Sequence, residues 1–369
     1  MARTPTGRGC FGAGKIFRRG RASSRRWGGY SRNVGRDSTT GIESYARYVT
    51  IFLRGHLFKE AQMDNQEIQN AIAGAIVVDK PTGMTSHDVV NAIRFGTGIR
   101  RAGHTGTLDP RASGVLVILV GPAVRLSEYV SAADKRYQAI IRMGASTDTY
   151  DAEGHFTRQP ESAPVNVTED QCESALKNFI GEIEQTPPPY SAIKLQGRRA
   201  YDMARRGEEV EIAPRKITVH HLEMLEWAPP EVVVDVHCSS GTYVRSLAND
   251  LGNILGCGAY LIGLRRTKSG RFSLRDAVPL RKLQEAFRAG NWYQYLIPAA
   301  ETLADWPALE LTPEQVDAVS HGHRMPAPAD IQVGPKNLVR GVSMAGELIA
   351  LMELDPSTLE LQPKKVFLS

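Results

Sequence analysis

Cysteine, aromatic residues and long apolar runs are all scarce in this sequence of 369 residues. The four cysteines are widely spaced and form no CxxC pair, which argues against a structural zinc site or a disulfide framework. No segment approaches the roughly 18 consecutive apolar residues that a membrane-spanning helix needs. We therefore expect free thiols, no bound metal and a reducing compartment, the cytoplasm.

Acidic residues are missing from the start of the chain, where the first one is Asp37. Residues 1–73 carry 13 basic and 5 acidic side chains, a net charge of +8. The rest of the chain carries 32 basic and 35 acidic side chains, a net charge of −3. A nucleic-acid partner of the body would therefore have to bind a local basic surface rather than respond to its total charge.

Residues 1–70 form a basic extension whose beginning shows no hydrophobic periodicity, so we expect it to be disordered. Three interpretations stay open: a basic tail that attracts RNA, an organellar transit peptide, or upstream sequence added by a misplaced start. Met63 stands just before the first predicted strand and would be a natural start. This position favours the third interpretation.

Ordered structure is predicted from Gly74 onward. Short apolar runs predict buried strands at 74–79, 115–121, 136–144 and 231–240. Capping residues and amphipathic spacing predict helices after Ser86, after Thr168 and over 243–255. Strands and helices are mixed without a regular βαβ alternation, so the fold class is α+β. Short strand-like pieces separated by turns predict a small β-rich domain at 306–369.

A nucleotide site and a serine acyl enzyme are weaker hypotheses. Residues 7–12 match GxGxxG, but no strand precedes them, as the motif requires. Ser191 and Lys194 form an SxxK pair, and residues 268–270 resemble the KTG element of serine acyl enzymes. The middle element of that set is missing, so this remains a poor second hypothesis.

A single loop carboxylate, Asp109, ends a glycine-rich segment just before a buried strand. A carboxylate that a rigid scaffold holds on a loop is in a good position for catalysis. An aspartate before a proline is equally typical of an Asx turn. The residues alone leave both interpretations open.

Six segments occur one after another along the chain: DKPTGMTSHDVV, GHTGTLDPRASGVL, DKRYQAIIRMG, PPPYSAIKLQGRRAYDMARRGE, GTYVRSLANDLG and LRRTKSGRF. In sequence and in order they resemble the motifs of the TruB family of tRNA pseudouridine synthases. The resemblance implies a catalytic domain at 74–300 with a mixed, largely antiparallel sheet and flanking helices. It implies a thumb-like RNA-binding insertion at 185–216. It also implies a C-terminal β-barrel-like PUA domain at 306–369.

The implied reaction is the isomerisation of a T-loop uridine in tRNA to pseudouridine. The N1–C1′ bond breaks, the uracil turns, and C5 bonds to C1′. No redox change or group transfer occurs, so no cofactor and no metal are expected. The expected partner is the T arm of tRNA, bound by a monomer that needs no second protein, and the target base must be flipped out of the folded loop.

The resemblance assigns roles to ten residues. Asp109 matches the essential aspartate, Arg245 the arginine that pairs with it, and Tyr137 the tyrosine that stacks on the base; the atom that Asp109 attacks stays open. The residues expected to bind substrate are His104, which would take the stacking place of the flipped base, Leu264, which would form the apolar wall of the base pocket, and Tyr243, Lys80, Lys194, Arg198 and Arg199.

Two alternatives remain at this point. A relative of the same family that depends on a guide RNA would carry similar motifs, although the long segment at 185–216 favours a stand-alone enzyme. A non-catalytic tRNA-binding or tRNA-folding factor would bind the same RNA. Asp79, Asp148 and Asp151 lie in family-like motifs, but no specific role is assigned to them.

Overall fold

The structure is a computed structural model that describes residues 72–158, 165–191 and 212–367, together with residues 194–195, 198–199, 203 and 206. The basic extension with Met63, and most of the predicted thumb, lie outside the described residues, so the interpretations of both stay predictions. No helix in the described part is long and apolar enough to span a membrane.

The region at 74–302, which the resemblance predicts to be the catalytic region, contains fifteen strands and six α-helices among the described residues. The strands are β1 (Gly74–Lys80), β2 (Ala102–His104), β3 (Ser113–Val120), β4 (Lys135–Met143), β5 (Ser146–Thr147), β6 (Phe156–Arg158), β7 (Gly181–Gln185), β8 (Lys194–Leu195), β9 (Arg198–Arg199), β10 (Arg215–Ala228), β11 (Glu231–Cys238), β12 (Ala259–Ser269), β13 (Phe272–Ser273), β14 (Val278–Pro279) and β15 (Ile297–Pro298). The helices are α1 (Ser86–Thr97), α2 (Ser127–Ala132), α3 (Glu169–Lys177), α4 (Val244–Ile254), α5 (Leu280–Ala289) and α6 (Ala299–Thr302).

One large sheet organises this region, with the order β14-β1-β3-β12-β4-β11-β10-β7. The pairs β1–β14 and β3–β12 are parallel, and the other pairs along this path are antiparallel. Strands β2, β13 and β15 extend it by pairing with β3, β12 and β1. The expected α+β class with a mixed, largely antiparallel sheet is confirmed.

Burial explains why the central strands read as continuous apolar runs. Every residue of β3 is buried, because helices α1, α3, α4 and α5 cover one face of the sheet and C-terminal residues cover the other face near β1 and β3. In β4 buried residues alternate with more exposed ones, as expected where the far face meets water.

The start of α1 differs from the prediction by one residue. Thr85, not Ser86, caps this helix, in a reciprocal capping box with Asp88. Ser86 is buried instead, and its hydroxyl bonds to the backbone of Leu108. The capping box of Thr168 and Gln171 before α3 is confirmed.

The C-terminal part is β-rich, as predicted. It contains β16 (Ala308–Leu311), α7 (Pro313–Ser320), β17 (Met325–Pro326), β18 (Leu338–Ser343), β19 (Leu348–Asp355) and β20 (Glu360–Val366). The five strands form one sheet in the order β16-β18-β19-β20-β17. Leu351 and Phe367 pack into the same apolar cluster as residues of β1 and β3, so this sheet is docked on the catalytic region.

Candidate active site

The loop that carries Asp109 connects β2 to β3 and is held by the start of α1. The Ser86 hydroxyl donates to the carbonyl of Leu108 at 2.9 Å and accepts from the amide of Leu108 at 2.8 Å. The amide of Gly83 donates to the carbonyl of Pro110 at 2.8 Å. Leu108 and Pro110, the two neighbours of Asp109, are therefore held by the start of α1 and the turn before it, which is the rigid support that a loop nucleophile needs.

Asp109 faces Arg245 across this loop. The Ala112 amide donates to the Asp109 carbonyl at 3.0 Å, so the turn is closed by backbone atoms. The Asp109 carboxylate is 40% exposed, and its Oδ2 lies 3.1 Å from Nε of Arg245. The structure thus brings together the two residues that the resemblance pairs.

Arg245 is buried at the first turn of α4 and is held on several sides. Its Nη1 lies 3.2 Å from Oδ2 of Asp151 and donates to the carbonyl of Thr149 at 3.3 Å. Its Nη2 donates to the carbonyl of Tyr190 at 3.2 Å. The guanidinium therefore bridges two carboxylates, one half-exposed and one 13% exposed.

A small, shallow pocket that is open to solvent lies beside this pair. Its lining residues come from the Asp109 loop, from the segment before β6, from α4 and from β12: Asp109, Arg111, Ala112, Asp151, Arg245, Leu261, Ile262, Gly263 and Leu264. The two carboxylates and the arginine form a polar end, and the β12 residues form an apolar wall. Charged and apolar side chains thus meet at one opening beside the Asp109 carboxylate.

Tyr137 lies in β4 and is buried. Its backbone is paired with that of Arg266 in β12, and its hydroxyl lies within the electrostatic influence of the Arg266 guanidinium. Burial raises the pKa of the Tyr137 hydroxyl, so it stays protonated at neutral pH. The residue does not line the pocket as it stands, and its stacking role stays a prediction.

His104 ends β2, on the approach to the same loop. Its Nδ1 is buried and has no hydrogen-bond partner among the described residues. Burial, followed by the nearby charges of Arg266 and His87, lowers the pKa of the imidazole below its usual value. The ring is therefore neutral at neutral pH, with one buried nitrogen that has no partner among the described residues.

Lys80 occupies a different position from the one its predicted RNA contact requires. It has no exposed surface, and its ammonium donates to the carbonyls of Pro81 at 2.9 Å, Pro110 at 3.3 Å and Ala112 at 2.7 Å. Burial lowers its pKa to about 8. In this structure Lys80 supports the Asp109 loop from below, which corrects the expectation of a substrate contact.

Tyr243 directly precedes α4 and is tied to β7. The buried amide side chain of Gln185 accepts from its N–H at 2.8 Å and donates to its carbonyl at 3.0 Å. The guanidinium of Arg215 lies 4.8 Å from the centre of its ring. These contacts place Tyr243 where the predicted thumb leaves the sheet.

The three basic residues predicted in the thumb are placed only in part. Lys194 of β8 pairs in backbone register with Arg199 of β9, which makes a two-stranded hairpin. Arg198 is exposed. The side chains of Lys194 and Arg199 lie outside the described structure, so their contact with RNA stays a prediction.

Two residues near the site were given no role by the sequence. Asp151 was noted as part of a family-like motif, and the left-handed backbone of its neighbour Tyr150, at φ 62°, is visible only in the structure. Arg266 was noted only as a neighbour of Leu264, yet it is 2% exposed and contacts the Asp109 loop. No cluster of three or more His, Cys, Asp or Glu among the described residues could hold a metal.

The chain matches two family descriptions in succession. Residues 94–244 match "TruB family pseudouridylate synthase (N terminal domain)", and residues 245–303 match "tRNA pseudouridylate synthase B C-terminal domain". The two matches cover both sides of the pocket, since Asp109 lies in the first and Arg245 begins the second. The matched class is therefore that of pseudouridylate synthases.

Curated relatives agree with this class over most of the chain. A protein named tRNA pseudouridine synthase B from Thiobacillus denitrificans is 42% identical over 291 residues, which is 79% of this chain and 95% of the relative. A protein of the same name from Pseudomonas paraeruginosa is 42% identical over 71% of this chain and 86% of its own length. One from Ruegeria pomeroyi is 40% identical over 80% of this chain and 96% of its own length. The chain belongs to the TruB family of pseudouridylate synthases.

Solved structures share the fold at lower identity. A solved H/ACA RNP bound to a substrate RNA containing 2′-deoxyuridine superposes with a TM-score of 0.63 at 26% identity. The superposition covers 83% of this chain and 88% of the chain in that structure. A Cbf5-Nop10-Gar1 complex gives a TM-score of 0.62 at 28% identity, and covers 84% and 88%. The large sheet with its helices is thus the pseudouridine synthase fold that the resemblance implied.

Proposed function

We propose that this protein converts a uridine in the T loop of tRNA to pseudouridine and that it acts without a guide RNA. The observation that carries the proposal is the contact of 3.1 Å between Arg245 and Asp109 at the mouth of a pocket with one apolar wall. The names of the relatives at 40–42% identity supply the substrate class. A tRNA substrate also favours the cytoplasm as the place of the reaction.

In the proposed reaction the Asp109 carboxylate is the catalyst: it adds to C1′ of the ribose, adds to C6 of the uracil or removes the proton from C2′. The N1–C1′ bond breaks, the released base turns, and C5 bonds to C1′. The C5 proton is lost, and N1 ends with a proton, so the product is an isomer of the substrate. Arg245 orients the carboxylate from one side, and the other oxygen of Asp109 remains available to the nucleoside.

The remaining residues hold the base and the loop it leaves. Leu264 forms part of the apolar wall, and Tyr137 lies deeper, where it would stack once the base enters. Neutral His104, with its unpartnered Nδ1, would replace the extruded base in the T loop. Tyr243 marks the side of the pocket where the thumb begins.

We also propose the division of RNA binding between two further parts of the chain. The thumb-like insertion at 185–216 would grip the T arm through Lys194, Arg198 and Arg199. The C-terminal sheet of 306–369 would be a PUA-like module that follows the catalytic domain of 74–300. Phosphate contacts of this kind make binding weaken as salt increases.

The guide-dependent alternative is less well supported. The solved neighbours that are an H/ACA RNP and a Cbf5-Nop10-Gar1 complex are 26% and 28% identical, whereas the relatives named for tRNA reach 40–42%. We therefore propose a monomer that needs no second protein.

The experiment compares the wild-type chain with Asp109→Asn on unmodified tRNA. The wild type alone should form pseudouridine, while Asp109→Asn should form none and should bind tRNA within about threefold of wild type. Activity that appears only with added proteins and a guide RNA would favour the alternative. Tight binding by an inactive wild type would instead indicate a binding factor.

A further inference from the structure

A second arginine, Arg266, lies beneath the loop that carries Asp109. Its guanidinium donates three hydrogen bonds to backbone carbonyls: Nε to Val115 at 2.7 Å, Nη2 to Gly106 at 3.0 Å and Nη1 to Thr107 at 3.4 Å. Two of these acceptors belong to the loop, two and three residues before Asp109. The third belongs to β3, into which the loop leads. One planar group therefore joins the loop to the sheet.

The backbone of Arg266 leaves its side chain little room to shift. The residue stands in β12, paired with Gly114 of β3 on one side and with Tyr137 of β4 on the other. Gly114 has a φ of 101°, and a Cβ there would lie 2.2 Å from the Arg266 carbonyl. A Cβ on Gly106 would lie 3.4 Å from Nη1. The distance between the Asp109 loop and the sheet is thus limited by the close contacts of Gly106 and Gly114 with Arg266.

The electrostatic cost of Arg266 argues against a purely structural role. It forms no ion pair with a carboxylate among the described residues, although burying an unpaired charge costs several kcal/mol. Two buried ammonium groups, those of Lys80 and Lys135, lie near Arg266. Their pKa values are lowered to about 8, mainly by burial and in addition by the positive charge of Arg266. Three buried cations therefore lie close to one loop, and the repulsion between them adds to the cost of burying Arg266.

We propose that Arg266 is a positioning residue for the isomerisation, which fixes the Asp109 carboxylate at the distance the nucleoside requires. Lys80 holds the loop after Asp109 through Pro110 and Ala112, and Arg266 holds it before Asp109 through Gly106 and Thr107. The inference rests on the proposed function, because it needs a reaction at Asp109 to serve. A displacement of about 1 Å at such a site costs on the order of 100-fold in rate.

The test variant is Arg266→Lys, which keeps the charge but replaces the three separate donor nitrogens of the planar guanidinium by a single ammonium nitrogen. Arg340→Lys is its matched control, since the Arg340 guanidinium also donates to three carbonyls, those of Ala300 at 2.7 Å, Trp306 at 2.9 Å and Ala304 at 3.5 Å, far along the chain from the site. Two readouts are taken on the full chain: kcat and tRNA affinity with unmodified tRNA, and hydrogen exchange of the amides at 105–112. Those amides include bonded groups of Thr105, Leu108 and Ala112.

We expect Arg266→Lys to lower kcat on the order of 100-fold, to leave tRNA affinity within about threefold, and to speed exchange across 105–112. Arg340→Lys should change neither kcat nor that exchange. Arg266→Gln, a neutral donor, should repeat the loss if the lysine variant does not fold. A folded Arg266 variant with wild-type kcat, or an Arg340→Lys variant with the same loss, would overturn the proposal. An inactive wild type would refute the proposed function separately.

Discussion

Asp151→Asn is the substitution that most directly tests how the site is built. Oδ1 of Asp151 accepts from the Thr149 hydroxyl at 2.7 Å and from the Glu153 amide at 2.9 Å, whereas Oδ2 faces Nη1 of Arg245 at 3.2 Å. An asparagine keeps the first two bonds if its carbonyl takes the Oδ1 place. Its NH₂ group then points at the Arg245 NH₂ group, so two donors meet where an ion pair stood.

The expected cost follows from burial. Both partners are largely shielded, with side chains 9% and 13% exposed, and breaking a buried pair from one side costs about 3–5 kcal/mol. Part of this cost is recovered if Arg245 moves toward Asp109, its remaining carboxylate. We therefore expect a loss of about 3 kcal/mol in stability and a fall in kcat on the order of 100-fold, because the Asp109 carboxylate is drawn out of place.

The rate is measured under single-turnover conditions with tRNA that carries tritium at C5 of uridine, because C5 loses its hydrogen when it bonds to C1′. Asp148→Asn is the matched control. Asp148 lies in the same segment and its Oδ1 accepts from the amide of His155 at 2.9 Å, a bond that asparagine keeps. Wild-type tritium release by Asp151→Asn, or an equal loss in Asp148→Asn, would refute the reasoning.

Two further predictions concern the support of the loop. Burial lowers the pKa of the Lys80 ammonium from 10.5 to about 8, so the unfolded chain binds this proton more tightly than the folded chain does. As the pH rises from 8 to 10.5, the free energy of unfolding of the wild type should therefore increase by about 3 kcal/mol relative to that of Lys80→Met. Denaturant titrations that give parallel pH curves for the two proteins would contradict this prediction. Gly114→Ala should lower the free energy of unfolding by about 2 kcal/mol or more, because Gly114 has a φ of 101° and an added Cβ would lie 2.2 Å from a backbone atom. Gly103→Ala is the control: its Cβ would enter open space, so it should cost less than about 0.5 kcal/mol. Equal losses in thermal unfolding would argue against the close strand contact at Gly114.

The strands were predictable because a buried strand consists of a short run of apolar residues that can be recognised in the sequence. The run predicted at 74–79 corresponds to β1, and the runs at 115–121 and 136–144 correspond to β3 and β4 within two residues. Their order in the sheet was not predictable. The pairing of β3 with β12 joins Ser113 to Arg265, and a chain of that separation leaves no local pattern.

The sequence motifs predicted which residues form the centre of the site, but not which groups hold those residues in place. The resemblance named Asp109 and Arg245, and the structure places them in contact. Lys80 was expected to bind substrate on the resemblance alone. Lysine is almost never fully buried, and the three carbonyls around its ammonium, which no local pattern reveals, explain the exception. Asp151 was left without a role because its partner lies 94 residues away in sequence.

The charges at the site also indicate where RNA affinity must come from. Lys80, Lys135, Arg245 and Arg266 are buried, and all of them are occupied by carbonyls or carboxylates of the chain itself. A cation in that position can orient a nucleophile but cannot reach a phosphate, so it releases no counterion when RNA binds. The salt dependence of tRNA binding must then arise from exposed basic residues elsewhere. Binding and catalysis are therefore separable by mutation, which is why tRNA affinity can serve as a control for every substitution beneath the loop.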